Sequence, residues 1–208
     1  MKKRIKINYI RLIIVCIVFT ILIYAVISNT KLKDKEVEIS DTFPNEVYGV
    51  TVNTRLIESK TEARPGKKRK VRYIVIHETD NTSKGATASN HAEFLSKNNK
   101  TSTSWHYTVD EKEIYHHVPD EEVAHHAATQ EGNQYGIGIE LCVNEEGDFE
   151  KTFENASKLV AYLLKEYGLT TKSIKTHNDF SGKDCPHNIL KNDRMDEFVK
   201  KVKSYMQK

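Results

Sequence analysis

Arg72-Tyr-Ile-Val-Ile-His-Glu78 decides the fold class, because this short apolar, β-branched run is typical of a central strand. A second such run, Gly136-Ile-Gly-Ile-Glu-Leu-Cys-Val143, follows later in the chain. Trp105–Val109 with Glu113–Val118 predicts a hairpin, and Ala88–Ser96 predicts a helix. The alternation of strands and helices indicates an α/β fold with a mixed central sheet flanked by helices.

Two further helices are predicted in the last third of the chain. Thr152 is expected to cap the first of them, which ends at Gly168, and Asp193 is expected to cap the second. Apolar side chains recur at helical spacing in both: Ala156, Leu159, Val160, Leu163, Leu164 and Tyr167 in the first, and Met195, Phe198, Val199, Val202 and Met206 in the second.

The N-terminus carries basic residues directly before Leu12–Ile27, which has no charged side chain. This positive-inside pattern predicts a single membrane pass with the rest of the chain outside the cell, the alternative being secretion after signal cleavage. The expected organisation is a cytoplasmic basic segment (1–8), a transmembrane anchor or signal peptide (9–28), a polar linker (29–50) and a domain (51–208).

The formal net charge of +3 belongs to the N-terminus, because residues 1–30 carry five Lys or Arg and no acid. Without these residues the chain has 27 basic and 29 acidic side chains, which disfavours a nucleic-acid partner. The basic run Arg64–Lys70 is interpreted as a solvated turn. Nothing in the sequence indicates an oligomeric state.

His77 ends an apolar strand, and His177 stands at the entry to a loop in Ile174-Lys-Thr-His177. Cys185 follows His177 by eight residues, so one loop can bring both to a common ion. Two imidazoles and a thiolate are a ligand set found in catalytic zinc sites. The spacing alone also fits a chance occurrence, or a disulfide between Cys142 and Cys185. The remaining histidines are expected in turns, at strand ends or on the surface.

Five sequence blocks resemble, in order and spacing, those of the type 2 N-acetylmuramoyl-L-alanine amidases, a family that includes phage lysozyme-like amidases and animal peptidoglycan recognition proteins. The resemblance extends from about residue 53 to 190. The blocks are Tyr73-Ile-Val-Ile-His-Glu-Thr79, Trp105-His-Tyr-Thr-Val109, Ile137-Gly-Ile-Glu140, Thr176-His177 and Gly182-Lys-Asp-Cys-Pro186.

The resemblance implies one zinc ion per chain, held by His77, His177 and Cys185. Cys185 matches the ligand that recognition-only relatives commonly lack. Lys183 matches the family's lysine two residues before that cysteine, and Glu140 matches the acidic residue of the bacterial wall-hydrolase branch; both are expected to be catalytic. His126 matches a histidine that contacts substrate.

Trp105 departs from the phage members, which place a tyrosine there with a role in proton transfer. An indole ring cannot act as an acid or base, so Trp105 is expected to contact substrate instead. Glu140 is the expected base, because Ile137, Ile139 and Leu141 alternate onto one face of a strand and leave Glu140 on the other.

The resemblance therefore implies a zinc-dependent hydrolase that cuts the amide between N-acetylmuramic acid and L-alanine in peptidoglycan, tethered to the membrane by its N-terminal helix. One alternative is an anchored module that binds or senses muropeptides without cutting them. Another is a cysteine peptidase that uses Cys185 with His177.

Overall fold

The computed structural model describes residues 43–97 and 101–208. A seven-stranded sheet forms the centre of this part of the chain. The strands are β1 (Glu46–Val47), β2 (Val50–Thr54), β3 (Tyr73–Glu78), β4 (Tyr107–Val109), β5 (Glu113–His116), β6 (Gly136–Leu141) and β7 (Ile174–Thr176). Their order is β1-β2-β5-β4-β6-β3-β7. β1 pairs with β2 and β4 with β5 in antiparallel fashion, and the other neighbours are parallel. The predicted hairpin is the β4–β5 pair.

Six α-helices accompany this sheet in the described residues. They are α1 (Ala88–Lys97), α2 (Gln130–Tyr135), α3 (Phe149–Glu166), α4 (His177–Ser181), α5 (His187–Lys191) and α6 (Met195–Met206). The apolar sides of α3 and α6 share one buried cluster with side chains of β3, β4 and β6. The prediction of a mixed sheet flanked by helices is confirmed.

β6 shows how the sheet separates the core from the site. Ile137, Ile139 and Leu141 are fully buried in the cluster with α3 and α6. Gly138 and Glu140 alternate with them and therefore face the other side of the sheet. This second face carries the polar groups described below.

The predicted helix caps were wrong in both cases. α3 begins a turn before Thr152: its cap is Asp148, whose carboxylate accepts from the Lys151 backbone N–H, and Phe149 packs against the core. Thr152 lies within the helix and donates its hydroxyl to the Asp148 carbonyl. Asp193 sits in a left-handed turn after α5, with φ of 53°, so Arg194 is the residue that precedes α6.

The folded domain begins earlier than the composition indicated. Phe43 packs its ring against Tyr107 and Tyr162, with centroids 5.2 Å apart in each pair, and residues 46–50 contribute to β1 and β2. The predicted basic segment, the anchor at 9–28 and most of the linker lie outside the described residues. Within residues 43–97 and 101–208, no helix combines the length and apolarity needed to cross a bilayer.

Candidate metal centre

The carboxyl ends of β3 and β6 lie side by side, and each carries a polar side chain there. The parallel pairing sets His77 opposite Glu140, with 3.9 Å between His77 Nδ1 and Glu140 Oε1. Both point away from the apolar cluster, because their neighbours Ile76 and Ile139 point into it.

His177 reaches the same place from β7, the other neighbour of β3. It is the first residue of α4, whose start is fixed by a capping box in which Thr176 and Asp179 bond each other's backbone N–H. The His177 side chain is thereby directed back toward β3, and its Nδ1 lies 3.1 Å from Nδ1 of His77.

Cys185 completes the cluster from the loop after α4. Asn178 holds this loop: its backbone N–H donates to the Cys185 carbonyl at 3.0 Å and its side-chain amide to the Lys183 carbonyl at 2.9 Å. The Cys185 sulfur lies 3.9 Å from His77 Nδ1. Cys142 and Cys185 are both free thiols, so the alternative of a disulfide between them is wrong.

One ligand atom from each of His77, His177 and Cys185 lies within 4.8 Å of the other two. A tetrahedral zinc ion, with bonds of about 2.0–2.1 Å to nitrogen and 2.3 Å to sulfur, separates its ligand atoms by about 3.3–3.7 Å. Two of the three observed separations, 3.1 and 3.9 Å, lie on either side of that range, and the third is at most 4.8 Å. The donor set and its spacing therefore fit zinc.

The protonation states of His77 and Cys185 also determine how this site would bind a metal ion. Burial, together with the neighbouring His126 and His177, lowers the pKa of His77 well below its usual range, so the imidazole is neutral. Burial raises the pKa of the Cys185 thiol to about 12. A cation at this point would therefore bind with release of the thiol proton.

Glu78 anchors the segment that carries Cys185, a role that the sequence did not reveal. Its carboxylate, 5% exposed, accepts from the backbone N–H groups of Asn188 and Ile189 at 2.9 and 3.0 Å and from the Asn188 amide at 2.8 Å. These donors lie at the start of α5, immediately after the loop. The available signal was a carboxylate directly after His77 at the end of an apolar strand, since a buried carboxylate needs partners.

Replacing Glu78 with glutamine is expected to lower the free energy of unfolding by about 2–4 kcal/mol. The NH₂ group of glutamine cannot accept a hydrogen bond, so at least one of the N–H donors that now bond the carboxylate would lose its acceptor. Urea denaturation measures the change. The matched control is Glu150→Gln, which weakens the exposed pair with Arg194 and should cost less than about 1 kcal/mol. Equal losses in the two variants would contradict the anchoring role.

Glu140 is held in an environment that favours its protonated form. The Glu140 side chain is 14% exposed, and its Oε2 atom has no hydrogen-bond partner among the described residues. Burial raises its pKa to about 8, while the nearby Lys183 cation works in the opposite direction. A carboxyl group that titrates near neutral pH can both accept and return a proton.

A cavity of about 740 Å³ opens over these groups. Lys183 lines it with an exposed side chain. Trp105 lines it as well, with 8% exposure, and its indole N–H donates to the Thr108 hydroxyl at 2.7 Å. The indole ring is thus held in place and can offer only an apolar surface to the cavity.

His126 also lies at the cavity, with 7% exposure. Its Nδ1 is 3.0 Å from His77 Nε2, and its Nε2 is 3.0 Å from the Gly136 carbonyl oxygen. Both ring nitrogens therefore have partners within the protein.

One expectation about polar residues outside the site was wrong, and another holds only in part. His116 and His117 are buried instead of exposed: His116 bonds the Val118 carbonyl, and His117 bonds the Thr108 hydroxyl. In the basic run Lys67, Lys68 and Lys70 are exposed, as expected of a solvated turn. Arg64, however, pairs with Glu122 and Arg69 bonds the Glu122 carbonyl, so the two arginines pack on the domain. Local composition could not reveal the partner of Arg64 and Arg69, because Glu122 lies 58 and 53 residues away from them in sequence.

A family model described as N-acetylmuramoyl-L-alanine amidase matches residues 67–188. The chain is 41% identical over 158 residues to the N-acetylmuramoyl-L-alanine amidase CwlH of Bacillus subtilis (strain 168), covering 74% of this chain and 62% of the relative. It is 44% identical over 137 residues to the N-acetylmuramoyl-L-alanine amidase XlyA of the same organism, covering 65% and 45%. The solved catalytic domain of XlyA superposes with a TM-score of 0.70 at 39% identity, covering 74% of this chain and 99% of that one. The chain thus spans 62% and 45% of the length of these two curated relatives.

Proposed function

The chain belongs to the N-acetylmuramoyl-L-alanine amidase family, and on that premise we propose that it hydrolyses the amide between N-acetylmuramic acid and L-alanine in peptidoglycan. The observation that carries the proposal is the convergence of His77, His177 and Cys185 beside Glu140 in one cavity. A volume of about 740 Å³ lies within the range of small-ligand sites and suits a muramyl peptide fragment.

Zinc is the proposed metal, one ion per chain, with His77, His177 and Cys185 as its ligands. Three protein ligands leave a fourth position open, as catalytic zinc sites require. When bound, zinc supplies a Lewis acid that polarises the amide carbonyl and lowers the pKa of water toward about 7.

Glu140 is proposed to take a proton from water as the water oxygen attacks the carbonyl carbon. A bond from carbon to oxygen forms, and Lys183 stabilises the negative charge that develops on the carbonyl oxygen. Glu140 then gives the proton to the alanine nitrogen as the carbon–nitrogen bond breaks. The products are a lactyl carboxylic acid on the sugar and a free amine on the stem peptide. Trp105 is proposed to hold the substrate through its apolar ring.

A cysteine peptidase is the weaker interpretation of the same residues. A nucleophilic cysteine needs a lowered pKa, whereas burial raises that of Cys185 to about 12. The convergence of His77, His177 and Cys185 supports a metal ligand instead, because a bound cation would itself lower that pKa.

We propose that the domain acts outside the cell, held to the membrane by the segment 9–28. The support is the charge pattern of the N-terminus, with Lys or Arg before an uncharged apolar run. Expression of the full chain in bacteria, followed by membrane fractionation and external protease treatment, tests this. Recovery in the soluble cytoplasmic fraction would overturn it, and release of a shortened chain into the medium would support signal cleavage instead.

Incubation of the full chain with purified peptidoglycan is expected to release stem peptides with new N-terminal alanine, and a zinc chelator is expected to abolish the release. Mass spectrometry of the soluble products measures both. Recovery of activity on adding back zinc controls for damage by the chelator. Tight binding of muropeptides without any new alanine terminus would make the chain a binding module, the alternative from a different class.

A further inference from the structure

The ring of His126 lies against the one nitrogen of His77 that does not face Cys185 and His177. His77 Nε2 is 3.0 Å from His126 Nδ1, and His126 Nε2 is 3.0 Å from the Gly136 carbonyl oxygen. The two rings meet at 88°, with centroids 5.0 Å apart. The three groups form a continuous chain of hydrogen bonds that ends on a strand of the sheet.

The donor and the acceptor of each hydrogen bond can be assigned by starting from the Gly136 carbonyl oxygen, which is the last acceptor of the chain. A carbonyl oxygen can only accept, so His126 Nε2 must carry the hydrogen that it donates to Gly136. Nδ1 of the neutral His126 ring is then an acceptor, and His77 Nε2 donates to it. The remaining nitrogen of His77, Nδ1, is left with a free lone pair, and this is the atom 3.1 Å from His177 Nδ1 and 3.9 Å from the Cys185 sulfur.

We propose that His126 is a positioning residue that fixes the tautomer of His77, so that Nδ1 of His77 is ready to bind the metal, and that the ring nitrogens of His126 do not bind the substrate. Histidine ligands of metals usually donate their second ring N–H to a fixed acceptor in this way. Here the acceptor is another histidine. This inference rests on the zinc site of the proposed function.

The protein holds the His126 ring in place from two sides. The Asn133 side-chain oxygen accepts from the backbone N–H groups of His126 and Ala127 at 2.9 and 2.7 Å. Gly138 lies directly beneath the ring, where a Cβ atom would come within 2.6–2.8 Å of ring atoms. Any other residue at position 138 would displace the ring. Glycine at position 138 therefore allows the His126 ring to stay in the position where it bonds both His77 and Gly136.

The test uses the full chain labelled with ¹⁵N-histidine and freed of metal. Histidine nitrogen shifts in NMR report which ring nitrogen carries hydrogen. We expect His77 to carry it on Nε2 in the wild type. His126→Phe keeps a ring but removes the acceptor, so His77 should populate the other tautomer and the zinc dissociation constant should rise by about 10–100-fold. His126→Asn places an acceptor near the position of Nδ1 and should restore much of both properties.

His116→Phe is the matched control, because His116 is also buried and bonded to a backbone carbonyl but does not touch the site. It should leave the His77 tautomer and zinc affinity unchanged even if it lowers stability. Unchanged tautomer and zinc affinity in His126→Phe would overturn the proposal. A rise in KM for peptidoglycan in that case would assign His126 to substrate contact. Both main readouts are taken without substrate, so a chain that binds zinc as described but cuts no peptidoglycan would overturn the proposed function alone.

Discussion

Replacing Glu140 with glutamine is expected to lower the rate of amide hydrolysis by about 10²–10⁴-fold while zinc binding is retained. Glutamine has the same shape but cannot take a proton from water. Zinc should stay bound, because Glu140 is not among the residues whose ligand atoms converge. Alanine release from peptidoglycan measures the rate, and elemental analysis of the purified chain measures zinc.

The free energy of unfolding should not fall in this variant, since glutamine removes a buried carboxyl whose charged form is poorly solvated. Glu145→Gln, an exposed change on the loop after the same strand, is the matched control and should keep full activity. An active Glu140→Gln enzyme would assign proton transfer to another group. Loss of zinc together with activity would make Glu140 a metal ligand.

Replacing Cys185 with serine is expected to abolish both zinc retention and hydrolysis. The serine hydroxyl is a poor zinc ligand at neutral pH. The zinc affinity should therefore fall by more than the roughly 100-fold that is lost when a residue hydrogen-bonded to a metal ligand is removed. Zinc content after dialysis should drop from about one ion per chain to none. Hydrolysis should be lost in parallel.

Cys142→Ser is the matched control for this change. Cys142 is likewise a buried free thiol, 2% exposed, that does not itself line the metal cavity; its sulfur is 3.9 Å from Nδ1 of His91, a residue that does. We expect this variant to keep zinc and activity at the cost of some stability. Zinc retained by Cys185→Ser would remove Cys185 from the ligand set.

The resemblance implied that His77 and Glu140 belong to one site. The alternation of Ile137, Ile139 and Leu141 predicted only that Glu140 leaves the apolar face of its strand. The pairing that sets His77 opposite Glu140 comes from the neighbouring positions of β3 and β6 in the sheet. The meeting of His177 with Cys185 followed from their short separation along the chain. The helices of the last third were predicted from apolar spacing, although their caps were not, because apolar spacing does not mark the first residue of a helix as sharply as its middle.

The groups that support these residues could not be predicted in the same way. Glu78 meets its partners 110 residues later, and His126 meets His77 across 49 residues. Neither contact is marked by a periodic pattern in the sequence around these residues. The resemblance assigned His126 to substrate contact, whereas its ring nitrogens face His77 and Gly136 in the structure. Contacts of this kind depend on sheet order, which no local pattern contains.

β3 presents His77 on one face of the sheet and Glu78 on the other, where it holds the start of α5. A slip of one residue in the pairing of β3 with β6 would exchange the two faces. The carboxylate would then enter the cavity and the imidazole would enter the apolar layer. One ligand and the anchor of another would be lost in a single step, so an insertion or deletion within residues 73–78 should disable the centre even if every one of its side chains is still present in the chain.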